Sequence, residues 1–435
     1  MAKPASTGSC AEFRSAVLDN GLTVVVREVR TAPLVSLWCW YRVGSKDELP
    51  GLTGVSHWVE HMNFKGTKKI PRDEVKGIID RFGGFWNGYT WIDQTTYMET
   101  ATKDALDKML FIEAERMGNC LYDPADCSAE RSVIISELQG NENDPDMLLD
   151  IEVTATAFKA HPYRHPTIGW LTDLQTMTRD DLYDYYRRYY IPNNATLIVV
   201  GDVDVDDALR RTESAFGRIK PGPTLQRIHA EEPPQTGERR VTISGEGTTA
   251  YLKVAYHAPA VSHADFAPML VLDAVLTGAK GLNLWASFRG GAPQRRSRLY
   301  RTLVDQRLAS AVGGVFAATE DPYLFTVSVT VAAGRKLLDV EKIALAELDA
   351  VRDAGITEDE LERAKRQLRT RLVFENDSVT NIAHQLGYFS TVTHLEIFNE
   401  LPARIAAVTA ADVSHVARSY LAISNRTIGW FDPES

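Results

Sequence analysis

Thr178-Arg179-Asp180-Asp181-Leu182, followed by Arg187, Tyr189 and Asn194-Ala195-Thr196-Leu197, recurs near the C-terminus. There it reads Thr409-Ala410-Ala411-Asp412-Val413, then Arg418, Tyr420 and Asn425-Arg426-Thr427-Ile428. The offset is a constant 231 residues (409 − 178 and 427 − 196) with no gap. Each copy reads as a capped amphipathic helix, a turn and a short strand that closes a domain. A gap-free match of this length makes duplication a better account than chance.

Working outward, the 435-residue chain is too long for one ordinary core and suggests two domains. Pro221, Gly222, Pro223, Pro233, Pro234 and Gly237 stand among charged residues with no hydrophobic period, which marks 221–240 as a linker. It separates an N-terminal domain, 1–220, from a C-terminal one, 241–435. Thr23 to Val29 and Leu34 to Val43 read as strands, with Thr249 to His257 as a counterpart, and helical periods follow at Lys103 to Met117 and Leu338 to Val351. The expected fold is α+β: two homologous domains, each a mostly antiparallel sheet with helices packed on it.

Composition excludes several classes. Hydrophobic residues at 44% and charged residues at 24% fit a globular protein. A net charge of −10 argues against nucleic acid as a partner. No apolar run approaches the ~20 residues of a membrane-spanning helix, and Met1 to Cys10 holds no signal-peptide core. Cys10, Cys39, Cys120 and Cys127 lack paired metal-binding spacing and read as free thiols in a reducing cytosol, so the expected location is cytoplasmic.

Chemistry concentrates in Gly54-Val55-Ser56-His57-Trp58-Val59-Glu60-His61-Met62. No proline follows until Pro71, and Thr53 and Ser56 offer capping oxygens, so the stretch reads as a helix. At about 100° per residue, His61 lies about 40° round from His57 and Glu60 about 60° to the other side. Two imidazoles one turn apart can chelate one metal ion, with a carboxylate beside them to accept a proton from water. Histidines packed on a core are the plainer alternative.

A metal of this kind needs a third protein ligand. Glu130 and Glu137, in Glu130-Arg131-Ser132-Val133-Ile134-Ile135-Ser136-Glu137, share one helix face nearly two turns apart, and both are candidates. Val133, Ile134 and Leu138 make the helix amphipathic, so part of it is buried; a solvent-facing acidic stripe is the other reading of the carboxylates.

The motif His57-x-x-Glu60-His61, with Glu137 76 residues beyond His61 (137 − 61), resembles the pitrilysin/insulinase-type inverted-zincin peptidases. Gly83-Gly84-Phe85-Trp86-Asn87-Gly88-Tyr89-Thr90, His161-Pro162-Tyr163, Ile168-Gly169, Tyr189-x-x-Pro192-Asn193-Asn194 and Ser297-Arg298-Leu299-Tyr300-Arg301 are similar to further landmarks of that family. The resemblance spans nearly the whole chain and is closest to the two-domain, mitochondrial-processing-peptidase-like branch. It implies one Zn2+ per chain on His57, His61 and Glu137, with Glu60 as general base and Glu130 orienting a ligand. It also implies a peptide substrate that pairs as a strand beside Phe85, Trp86 and Asn87, although ordinary aromatic packing and a turn asparagine would also explain those three.

One departure bears on partners. Self-sufficient members of the family carry in the second half a Leu-(Ala/Gly)-Tyr stretch with an arginine seven residues before the tyrosine. Here the stretch is Leu308-Ala309-Ser310, and Leu303 stands at the arginine position. The resemblance therefore implies a homologous subunit that supplies the missing Arg/Tyr pair in a heterodimer, in preference to a homodimer. Arg289, Arg295, Arg296, Arg298 and Arg301 form a basic cluster that reads as a solvated loop or a contact for an acidic partner surface. Two other readings compete with the peptidase: a non-catalytic assembly subunit related to respiratory-complex core proteins, and a zinc hydrolase of small molecules.

Overall fold

The structure, a computed structural model, describes residues 13–72, 74–282 and 294–434. It contains two compact units, each built around one sheet. The first comprises Met1–Leu138, His165–His229 and Asn376–Phe398; the second comprises Gln139–Arg164, Ala230–Glu375 and Asn399–Ser435.

The first sheet holds β1 (Arg14–Val17), β2 (Thr23–Glu28), β3 (Leu34–Tyr41), β4 (Phe85–Thr90), β5 (Thr95–Thr102) and β6 (Ala195–Gly201), in the order β1-β2-β6-β3-β5-β4. Only the β2–β6 pair is parallel. The second sheet holds β7 (Arg239–Glu246), β8 (Tyr251–Ala258), β9 (Ala309–Phe316), β10 (Tyr323–Val331) and β11 (Arg426–Glu434), in the order β7-β11-β8-β10-β9, with β7–β11 the parallel pair. Removing the edge strand β1 makes the two orders identical: β7 answers β2, β11 answers β6, and β9 answers β4. This is the duplicated, mostly antiparallel α+β architecture expected from the repeat.

The repeat is built from the same bonds in both copies. Thr178 caps the helix Arg179–Tyr189, and Asp181 Oδ2 accepts from the Thr178 backbone N at 2.8 Å; Thr409 and Asp412 do the same for Ala410–Tyr420, also at 2.8 Å. Asn194 Nδ2 donates to the Tyr189 carbonyl and Asn425 Nδ2 to the Tyr420 carbonyl, fixing the turn that feeds β6 and β11. A short polar code of cap and turn residues therefore sets one helix–strand unit twice.

The compact units depart from a single cut between 220 and 241. The helix Pro145–Ala157 packs on β7, β8 and β11 of the second sheet, and the helix Val379–Val392 packs on β3 and β6 of the first. Adding 231 to 145–157 gives 376–388, so these are the same element of the two copies, each covering the sheet of the other sequence half. That cover explains why β3 is buried on both faces and reads as a continuous apolar run. The approach is close: a Cβ on Gly387 would lie 1.9 Å from Trp40 Nε1, and one on Gly429 2.2 Å from Val153 Cγ2. Residues 221–238 form no helix or strand, while Arg239 and Arg240, expected in the linker, already begin β7.

Candidate metal centre and active site

The helix Val55–Met62 carries the His-x-x-Glu-His motif on its buried side, with Val55, Trp58, Val59 and Met62 in the core of the first unit. Its start differs from the expectation. Thr53 Oγ1 donates to Asp173 Oδ2 at 2.6 Å, and Ser56 Oγ pairs with the Tyr185 hydroxyl at 2.7 Å, so neither hydroxyl caps the helix. The Glu48 carboxylate does so instead, accepting from the backbone N of Gly54 and of Ser56 at 2.8 Å each. A carboxylate at a helix N-terminus also complements the helix dipole. His165 Nε2 lies 3.0 Å from Glu48 Oε2 and holds it in place. Gly54 has φ +89°, and a Cβ there would sit 2.4 Å from the Ile168 carbonyl oxygen, so only glycine lets the chain turn into the helix at this point.

The long helix Pro124–Glu142 brings Glu130 and Glu137 to the same histidines. Ile134 and Leu138 anchor it in the core, whereas Val133, expected on the buried face, is half exposed. Glu137 Oε2 lies 3.9 Å from both His57 Nε2 and His61 Nε2. That distance is too long for a hydrogen bond, yet the three ligand atoms lie within 4.8 Å of one another, the spacing of donors around a shared cation. Glu130 is directed elsewhere: Oε1 accepts from His61 Nδ1 at 2.9 Å, and Oε2 is 2.5 Å from Lys65 Nζ. With its Nδ1 proton on a carboxylate, His61 turns an Nε2 lone pair toward Glu137. Of the two carboxylates left open by the helical spacing, Glu137 faces both imidazoles and Glu130 stands behind one.

Electrostatics agree with the geometry. Burial, helped by the charge on His61, lowers His57 to about 3, so its imidazole is neutral and able to bind a cation. Burial alone would lower His61, but the hydrogen-bonded Glu130 and the charge of Glu60 outweigh it and raise it. Burial also raises the Glu130 carboxyl, but its bonds to His61 and Lys65 hold it down at about 2. Glu60 is buried and pushed up to about 7 by desolvation, against the pull of His61 and of Thr90. Thr90 Oγ1, at the end of β4, donates to Glu60 Oε2 at 2.9 Å. The donor set of two imidazole nitrogens and one carboxylate oxygen, with an outer carboxylate on one imidazole, is the set that zinc takes.

Phe85, Trp86 and Asn87 open the edge strand β4, which pairs on one side with β5. Trp86 packs on Phe64 with ring centroids 4.9 Å apart, Phe85 is exposed, and Asn87 Oδ1 accepts from the Gly88 backbone N at 2.9 Å. In the second unit Leu303 is fully buried and Ser310 Oγ donates to the Thr330 carbonyl at 3.3 Å. Of the basic cluster, Arg289 lies outside the described residues, and Arg298 is bound twice at 2.7 Å by Glu360, which makes it a structural ion pair. Sequence reasoning missed Glu48, Lys65 and Thr90. Lys65, one turn beyond His61, is the only one of these whose spacing alone could have drawn attention.

The family model described as insulinase (peptidase family M16) matches residues 23–170, and the one described as peptidase M16 inactive domain matches 176–368. The chain belongs to this pitrilysin/insulinase-type family. It is 27% identical over 428 residues to zinc protease PqqE of Helicobacter pylori, covering 97% of this chain and 93% of that one. It is likewise 27% identical over 424 residues to a probable mitochondrial-processing peptidase subunit beta of Arabidopsis thaliana, covering 95% and 77%. The crystal structure of a protease from Helicobacter pylori matches with a TM-score of 0.91 and 26% identity over 98% of this chain and 100% of that one. Homologues of this chain are therefore zinc proteases and peptidase subunits. No helix among the described residues is long and apolar enough to cross a membrane.

Proposed function

We propose that the chain is a zinc-dependent endopeptidase that hydrolyses peptides bound in extended form. The observation that carries this reading is the approach of Glu137 Oε2 to both histidine Nε2 atoms at 3.9 Å, with the buried Glu60 carboxylate on the same helix turn. His57, His61 and Glu137 would hold the metal, one ion per chain. Bound zinc supplies a Lewis acid for the scissile carbonyl and for the attacking water. Glu60 accepts the water proton and returns it to the leaving amine; a carboxyl raised toward neutrality suits both tasks. Glu130 fixes the His61 ring through Nδ1. The open edge of β4, with Phe85, Trp86 and Asn87, receives the peptide by backbone pairing.

The second half carries Ser310 and Leu303 where a self-sufficient peptidase would need a tyrosine and an arginine. We therefore assign the chain to a heterodimer whose homologous subunit supplies that pair; its relatives named as beta subunits support this reading. The free, buried Cys39, Cys120 and Cys127 suit a reducing compartment such as the cytoplasm.

Peptide hydrolysis is to be measured on zinc-loaded wild type and Glu60→Gln, each with its native partner. Glu60→Gln should keep its zinc and lose about 10²- to 10⁴-fold in kcat. Unchanged turnover would remove Glu60 from the mechanism, and a chain that co-purifies without zinc would favour the assembly-subunit reading.

A further inference from the structure

His384 is fully buried in the helix Val379–Val392, yet it is no part of the metal centre. Its imidazole sits in an aromatic box: Trp38 and Trp40 meet it edge-on at 5.1 and 5.2 Å, and Tyr89 and Tyr388 lie stacked at 5.9 Å each. A phenylalanine would fill such a box at lower cost, because a buried imidazole must satisfy two ring nitrogens. One of them, Nδ1, has no hydrogen-bond partner. The other, Nε2, lies 2.7 Å from the Tyr89 hydroxyl. Burial lowers the imidazole to about 3, so it stays neutral and the bond to Tyr89 persists across the working pH range.

Tyr89 belongs to β4. Side chains alternate along a strand, so Tyr89 turns to the face covered by His384 while its neighbour Thr90 turns to the other face and donates to Glu60 at 2.9 Å. Trp86, on the Thr90 side, packs on Phe64, and Gly88 leaves room there: a Cβ would lie 2.9 Å from the Phe64 ring. An edge strand bonded on one side only is the least constrained strand of a sheet. This one is fastened at two consecutive residues from opposite faces.

We propose that His384 and Tyr89 are a positioning pair that fixes the edge strand β4, setting the register in which an extended peptide meets Glu60. This rests on the peptidase reading for its consequence, though not for the fastening itself. His384 comes from the second half of the sequence, so the duplicated helix that covers the first sheet also tunes the strand beside the site.

The test uses the full zinc-loaded chain in a Glu60→Gln background, which binds peptide without cleaving it. Tyr89→Phe, His384→Phe, His384→Gln and the double variant Tyr89→Phe/His384→Phe are compared by hydrogen exchange of the β4 amides and by affinity for a dye-labelled, proline-free peptide. The two Phe variants keep the aromatic box filled. Each should speed β4 exchange and weaken peptide binding by about fivefold to tenfold, the order of one hydrogen bond's net contribution. The double variant should be no worse than the weaker-binding single variant, His384→Gln should recover part of the loss, and zinc content should stay at the parent level. Unchanged β4 exchange overturns the pair, as do losses that multiply in the double variant. If the parent protein binds no peptide, the peptidase reading fails on that result alone; faster β4 exchange in the variants would still establish the fastening.

Discussion

The two copies of the repeated unit use the same scaffold for different ends. In both, a Thr/Asp cap starts a helix, an asparagine fixes the turn, and a strand closes the sheet beside one parallel neighbour. In the first copy the helix Pro124–Glu142 carries Glu130 and Glu137 to a pair of histidines. Shifting those positions by 232 gives Glu362 and Arg369 in the second copy, and an arginine cannot ligate a metal. Backbone hydrogen bonds and caps therefore preserve the fold, while a few side chains on one copy hold the chemistry. The difference teaches that fold and site are separable here.

That separation can be broken from the site downward. The largest effect concerns Glu60. Its folded value of about 7 exceeds the ordinary 4.5, so the folded, metal-free chain holds this proton more tightly than the unfolded chain. Stability is therefore greatest below the unfolded value, falls as pH rises from about 4.5 to about 7, and then levels off. Glu60→Gln removes the penalty. The metal-free variant should match wild type in urea unfolding at pH 4.5 and exceed it by about 2–4 kcal/mol at pH 8, at 1.36 kcal/mol per unit. Equal stability at pH 8 would show that Glu60 is not desolvated.

Next comes the contrast between the equivalent glutamates. Glu130→Gln should lower zinc affinity by about 10- to 100-fold, the usual cost of losing an outer partner of a metal ligand, whereas Glu362→Gln should leave it unchanged. Competition with a chromogenic chelator reads both, and equal effects would erase the distinction between the copies. The smallest effect should be symmetric. Thr178→Ala and Thr409→Ala each remove one cap and should each cost about 1 kcal/mol in urea unfolding, with zinc affinity unaltered. A markedly larger loss in one copy would mean that the two caps are not equivalent.

The sequence disclosed whatever was local or periodic. The Thr/Asp caps, the Asn turns and the strand runs of β3 and β8 announce the duplicated α+β domains, and the one-turn spacing of His57 and His61 announces a chelating face. What it concealed was long-range. Glu48 rather than Thr53 or Ser56 caps the motif helix, because those hydroxyls are taken by Asp173 and Tyr185 from distant segments. Helical periodicity put Glu130 and Glu137 on one face but could not say which would meet both imidazoles. Nor could it show that Pro145–Ala157 and Val379–Val392 each cover the sheet of the opposite half: an apolar helix face does not name its partner.

Zinc analysis by mass spectrometry, with X-ray absorption at the zinc edge, tests the central claim most directly when applied to wild type and Glu137→Gln. Wild type should hold one zinc bound by two imidazole nitrogens and a carboxylate oxygen, and Glu137→Gln should lose stoichiometric metal. Full zinc occupancy in Glu137→Gln with an unaltered absorption spectrum would contradict it.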